Sequence, residues 1–165
     1  MKVALLMLSH EDERGTLQNN HIPLSIGVIG EFLRLNFSKE NLELDLFKRP
    51  SQFDTYLKNH SPDIIMLSNY MWNENLNLFY AQLVKKISPK TLIIMGGPNI
   101  SINLFDKEDF LRKNSCIDIL VEGDGEIVSL KLLNKFYELD KSILHLKSAK
   151  TINCFAFDHL NGEFL

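Results

Sequence analysis

Four short stretches of the chain carry the residue types from which a binding site can be assembled. The first is Ser9-His10-Glu11-Asp12-Glu13-Arg14-Gly15, running on to His21-Ile22-Pro23. Residues 9–22 make a 14-residue connection, where a strand-to-helix link normally takes about two to six residues. A loop of that length is often a binding loop, although an acidic run around one histidine is equally a solvated surface. The second stretch, Ser68-Asn69-Tyr70-Met71-Trp72-Asn73, contains the only tryptophan. The third, Gly96-Gly97-Pro98-Asn99, has two glycines that let a ligand or another backbone come close. The fourth, Glu122-Gly123-Asp124-Gly125-Glu126, is an acidic turn ahead of a helical pattern. There Glu122 and Glu126 either contact a ligand or complement a helix dipole.

The elements that must position these stretches alternate. Apolar strand-like runs at 3–8, 42–47, 63–67, 91–95 and 117–121 are separated by amphipathic runs near 23–36, 51–59, 75–87, 103–113 and 125–138. Leu76, Phe79, Leu83, Val84 and Ile87 recur at helical spacing, as do Ile127, Leu130, Leu133 and Tyr137. That alternation is the pattern of a parallel α/β sheet. Runs 3–8, 64–67 and 92–95 are continuously apolar, so both of their faces are covered. Run 42–47 alternates Leu42, Leu44 and Leu46 with Glu43 and Asp45, and run 117–121 carries Asp118; both read as edges. Edges at the second and fifth strands predict a flavodoxin-like, three-layer α/β/α fold. Its five-stranded parallel sheet has the order 2-1-3-4-5. All four loop stretches then gather beyond the carboxyl ends of the strands, at the switch between the first and third.

Composition narrows the possible chemistry. The 165 residues amount to one domain, with a formal net charge of −3 and pI near 5.9. Nothing in that balance favours a broad grip on nucleic acid or an anionic membrane. No apolar run approaches the roughly 20 residues of a membrane helix. Cys116 and Cys154 are the only cysteines, too few for a disulfide framework or a cysteine-held cluster, so a reduced, cytoplasmic protein is expected. The first strand is followed by neither a Walker loop nor Gly-x-Gly-x-x-Gly. Ser68 and Asn69 stand where a phospho-receiver needs an aspartate, and Cys116 lies at the amino end of its strand. Past residue 138 the chain is mixed in character, with a further strand expected at 151–157 and a turn at Asn161-Gly162. Residues 1–140 are expected to form the main domain, and 141–165 a connector towards a missing C-terminal module.

Taken in order, the stretches resemble the cobalamin (vitamin B12)-binding domain that precedes the catalytic barrel of many radical S-adenosylmethionine enzymes. The resemblance is carried by Pro23-Leu24-Ser25-Ile26-Gly27, Pro62-Asp63-Ile64-Ile65 and Ser68-Asn69-Tyr70-Met71-Trp72-Asn73. It continues in Gly96-Gly97-Pro98-Asn99-Ile100-Ser101 and Asp118-Ile119-Leu120-Val121-Glu122-Gly123-Asp124-Gly125-Glu126. It spans roughly residues 1–138.

The resemblance implies that Ser68 faces the base of the corrinoid's nucleotide tail, with Tyr70 where the family has leucine. It also implies that Gly96 and Gly97 leave room for that tail, and that Gly123 and Gly125 lie near its nucleotide end. Ser9 and His10 in the long loop, with Asn69, Tyr70, Met71 and Trp72, would approach the corrin ring. Pro98, Asn99, Glu122 and Glu126 complete the expected cofactor-binding set. Mutase-type cobalamin domains use Asp-x-His-x-x-Gly to ligate cobalt; no such spacing exists here, and no residue is assigned as a metal ligand or as catalytic. Cobalamin is thus the expected cofactor, and metal-ion binding enters only through its cobalt.

S-adenosylmethionine and an iron–sulfur cluster would belong to a barrel acting in cis or in trans, because Cys-x-x-x-Cys-x-x-Cys is absent from this chain. Nucleic acid and membrane are not expected partners. The expected function is a binding module of a radical methyltransferase-like protein, not catalytic alone. A nucleotide- or flavin-binding domain, with Glu122 or Glu126 on ribose hydroxyls, and a cofactor-free interaction surface remain as alternatives.

Overall fold

The computed structural model describes residues 1–165. Strands β1 (Lys2–Leu6), β2 (Glu43–Phe47), β3 (Ile64–Ser68), β4 (Leu92–Gly96) and β5 (Ile119–Val121) are parallel and ordered β2-β1-β3-β4-β5, as expected. The connecting helices are α1 (Leu24–Asn36), α2 (Pro50–Asn59), α3 (Glu74–Ile87), α4 (Leu104–Lys113) and α5 (Gly125–Glu138). Side chains alternate across a strand, so each apolar run feeds both faces. Val3, Leu5, Ile64, Met66 and Ile94 pack under α1 and α5 with Ile26, Leu33, Leu132 and Phe136. Ala4, Leu6, Ile65, Leu67 and Ile93 pack on the other face with Phe53, Tyr56, Ala81, Val84 and Leu111. Two cores on one sheet are the physical reason the runs 3–8, 64–67 and 92–95 are apolar at every position.

One expectation needs correction: β5 is not an edge. A sixth strand, β6 (Cys154–Phe155), runs antiparallel beside it, pairing Leu120 with Phe155 and Val121 with Cys154. Asp118, read as the mark of a solvent edge, is buried. It accepts the Ile93 N–H at 2.8 Å and pairs with Lys85 at 2.6 Å and Lys147 at 3.4 Å. A buried carboxylate persists when it is neutralised and hydrogen-bonded, and spacing along the chain cannot reveal partners on α3 and beyond α5.

The stretch after α5 is more structured than its composition announces. It forms a short helix α6 (Ile143–Ser148), then β6 and a hairpin of β7 (Phe157–Asp158) and β8 (Glu163–Phe164). Leu146 enters the core under α1 and α5, Phe157 enters the opposite core, and Lys141 pairs with Asp63 and Glu40. Residues 141–165, expected as a connector, are therefore seated against the sheet. No helix is long and apolar enough to cross a membrane.

Candidate functional site

The loop after β3 is held by three asparagines, each fully buried. Asn73 donates to the carbonyls of Leu8 and Ser68, both at 3.1 Å, and its side-chain oxygen accepts the Tyr70 N–H at 2.9 Å. Asn77 donates towards Ser68 O, Asn69 Oδ1 and Asn73 Oδ1 at 3.1–3.3 Å. Asn69 donates to Glu74 at 3.0 Å, and Asn99 donates to the same Glu74 oxygen at 2.6 Å. An amide carries both donors and acceptors, so this ladder replaces the hydrogen bonds the loop backbone would otherwise take from water. Asn69 and Asn99, expected to contact a cofactor, are occupied in this scaffold.

With that loop fixed, a cavity of about 180 Å³ opens over the strand ends between α1 and α5. Leu5, Met66 and Ile94 form its floor, and Ser25, Ile26, Ile29 and Ser129 form its helix walls. Its rim is Ser68, Tyr70, Gly96, Gly97, Pro98, Gly123, Asp124, Gly125 and Glu126. Of the expected residues, Ser68, Tyr70, Gly96, Gly97, Pro98, Gly123, Gly125 and Glu126 are thus brought together. The site also takes in Ser25, Ile26, Ile29, Asp124 and Ser129, which the sequence-based site set omits. Ser25, Ile26 and Asp124 lie inside the resembling segments, so a signal existed for them. Ile29 and Ser129 face the cavity only because α1 and α5 pack side by side.

Two glycines serve the protein's own packing. At Gly97, φ is +121°, and an added Cβ would stand 2.6 Å from the carbonyl oxygen of Asn69. Its role is to let the β4 loop seat against the β3 loop, rather than simply to leave ligand space as expected. At Gly125 a Cβ would stand 2.7 Å from Ile29 Cδ1, the mobile end of that side chain, so glycine lets Ile29 pack directly on the start of α5 and a larger residue would make Ile29 shift.

The other expected residues lie outside this cavity. Tyr70 stacks on Trp72 with ring centroids 4.5 Å apart, leaving Trp72 partly exposed and Met71 exposed. Ser9, His10, Gln18, Asn19, Asn20, His21 and Trp72 line a separate polar recess of about 400 Å³. The long loop beside it is structured by its acids. Glu11 accepts from Arg49 at 2.9 Å and from the Ser51 N–H at 3.2 Å, and Asp12 accepts the N–H groups of Thr16 and Arg14. Hydrogen bonds from Ser51, then Arg49, hold the Glu11 carboxyl below its ordinary range. Those from Thr16 and Arg14 do the same for Asp12.

Glu122 pairs with the buried Lys107, whose ammonium also lies 4.1 Å from the Phe155 ring centroid. It therefore turns towards α4 and away from the cavity. A larger apolar cavity of about 410 Å³ lies where residues 146–165 meet Leu104, Ile119 and Leu132; it contains none of the expected site residues.

Comparison with known proteins agrees with this geometry. The family model described as B12 binding domain matches residues 14–133, well over half of the chain. A cobalamin-dependent radical SAM methyltransferase, TokK, of Streptomyces tokunonensis is 36% identical over 73 residues, 44% of this chain and 10% of that protein. The 2-(S-pantetheinyl)-carbapenam-3-carboxylate methyltransferase of Streptantibioticus cattleyicolor is 37% identical over 73 residues, again 10% of its length. An uncharacterized methyltransferase of Pyrococcus horikoshii is 32% identical over 93 residues, 54% of this chain and 19% of that protein. The chain thus spans only a minor part of each curated relative.

Proposed function

The chain belongs to the family of B12-binding domains, whose cofactor is cobalamin, and on that premise we propose that it grips the nucleotide tail of cobalamin between α1 and α5. The observation that carries this is the cavity's size and lining. Sites that enclose a whole drug-sized ligand run to about 300–1,000 Å³, and 180 Å³ is below that range. It suits one flat aromatic limb of a larger molecule. Ile26, Ile29, Met66 and Ile94 offer apolar contact to such a limb, and the Ser25, Ser68 and Ser129 hydroxyls offer neutral hydrogen bonds. The bulk of the ligand then lies over the strand ends, towards Tyr70, Trp72 and the recess beside His10. Bound cobalamin supplies methyl-transfer chemistry at its cobalt; the residues of this chain bind and orient it.

The relatives' names support a second part of the proposal, that this domain serves a methyltransferase of the radical S-adenosylmethionine type. The cluster-holding barrel would come from another segment or another chain, with residues 141–165 leading towards it. Cys116 and Cys154 are both free thiols and too few to hold the cluster.

The test is binding of hydroxocobalamin to the purified chain, followed by gel filtration and the visible spectrum. Co-elution is expected for the wild type. Ser68→Trp, which puts an indole at the cavity rim, should lose it while keeping the far-ultraviolet circular dichroism of the wild type. Equal retention by both proteins, or none by the wild type, would refute the assignment.

A further inference from the structure

Residues 149–156 contribute nothing to the 180 Å³ cavity, yet they are fastened to two of the elements that form its rim. On α5, Lys135 donates to the carbonyls of Ala149 and Lys150 and to the Thr151 hydroxyl, at 2.9–3.1 Å. The same helix brings Gly125, Glu126 and Ser129 to the cavity. Just past β5, the Glu122 N–H donates to Asn153 O at 3.0 Å, immediately before Gly123 of the rim. Asn153 reaches that position with φ +61°, a left-handed conformation that asparagine tolerates. The apolar cavity of about 410 Å³ separates this strap from Leu104 and Leu132. A segment with a void under it has fewer packing contacts, so its polar anchors decide where it sits.

Lys107 is the anchor that strap and rim share. Its side chain is only 1% exposed; the ammonium pairs with Glu122, donates to Ile102 O at 3.3 Å and lies 4.1 Å from the Phe155 ring centroid. Phe155 belongs to the strap and covers the ammonium, while Glu122 leads into the rim. An ion pair holds firmly where water is excluded and loosely where water enters. Lifting Phe155 lets water reach Lys107, which slackens its hold on Glu122 and on the glycine turn that follows.

Resting on the cobalamin reading above, we infer that the strap 149–156 regulates the cofactor site, with Lys107 as the positioning residue that links them. A seated strap keeps the Lys107–Glu122 pair dry and the rim in its binding geometry; a lifted strap loosens both. Lys107 and Phe155 touch no ligand and act through Glu122. Linkage is reciprocal, so bound cobalamin holds the strap down in turn.

The experiment measures amide exchange of the chain with and without hydroxocobalamin, and titrates the same ligand by tryptophan fluorescence and visible absorbance. In the wild type, exchange in 149–156 should slow on binding by more than exchange in α2, on the opposite side of the sheet. Lys107→Met leaves Phe155 an apolar seat but Glu122 no partner, and Phe155→Ala removes the cover while keeping the pair. Each should weaken hydroxocobalamin by about fivefold or more and abolish the extra protection of the strap. The double variant should be no weaker than the worse single one, because both changes cut one link.

Wild-type affinity in either single variant, losses that add in the double variant, or a strap that slows no more than α2 overturns the inference and leaves the cobalamin assignment intact. Failure of the wild type to bind overturns both. Titrations are run well below each melting temperature, so lost stability alone leaves affinity unchanged, and the wild-type exchange result stands whether or not a variant folds.

Discussion

Gly97→Ala is the substitution whose consequence can be worked most directly from the geometry. The change adds one methyl group at a residue with φ +121°, where its Cβ would stand 2.6 Å from Asn69 O and 2.8 Å from Asn69 N. Both atoms belong to backbone and cannot rotate aside. The loop has to move, and it takes with it the Asn69 N–H to Gly96 O bond of 2.6 Å and the Asn99 N–H to Asn69 O bond of 3.2 Å. Holding an L-residue in that conformation costs about 1–3 kcal/mol. Two weakened hydrogen bonds add about 1 kcal/mol each. The expected loss is about 3–5 kcal/mol, which for a domain of this size is roughly 10 °C in melting temperature.

Gly96→Ala is the matched control. Its Cβ would meet Val121 at 3.4–3.5 Å, close to ordinary contact, so it should cost under about 1 kcal/mol. Urea denaturation followed by circular dichroism measures both. If Gly97→Ala lies within about 1 kcal/mol of the wild type, or if Gly96→Ala is equally damaging, the loop-on-loop explanation of the second glycine is wrong.

Three further outcomes are expected. Glu122→Gln leaves the buried Lys107 ammonium without its carboxylate; because Glu122 is itself partly exposed, the loss should be about 2 kcal/mol, below the range for fully buried pairs. Denaturation of this variant beside Lys107→Met, which removes the charge itself and should cost less, separates lost pairing from lost packing. Burial pushes the Cys154 thiol up to about 11 from an ordinary value near 9. The unfolded chain therefore ionises first: this group's stabilisation is complete below about pH 9 and is lost as pH rises towards 11. The gap in stability between wild type and Cys154→Ala should narrow across that window, and a constant gap would refute the burial argument.

Glu11 behaves with the opposite sign. Its carboxyl is held low in the folded protein, so its contribution is present above the ordinary carboxylate range and disappears as pH falls through the lowered value. Amide exchange in residues 9–22 should accelerate under acid before exchange in the sheet does; simultaneous loss would count against a locally anchored loop.

The alternation of apolar and amphipathic runs determined the layer architecture, because a strand buried on both faces has to be apolar at every position. The strand order followed from which runs could tolerate water, and Glu43 and Asp45 marked β2 as an edge for a sound reason. Asp118 was the same kind of signal with a different cause. Its neutralising lysines lie 33 residues before it and 29 after, and no local pattern shows that three distant side chains will meet. The four chemistry-bearing loops were legible because a parallel sheet must deliver them to one end.

Which of their residues face one cavity was decided by packing alone. Asn69 and Asn99 turn into a scaffold, Glu122 turns to Lys107, and Ser25 meets Ser68 across the gap between α1 and β3. A chain specifies which groups are available at the rim of a sheet; the close approach of two helices at Gly125 and Ile29 specifies which of them share a cavity. That approach depends on side-chain volumes summed across the whole core, a property no single stretch of sequence contains.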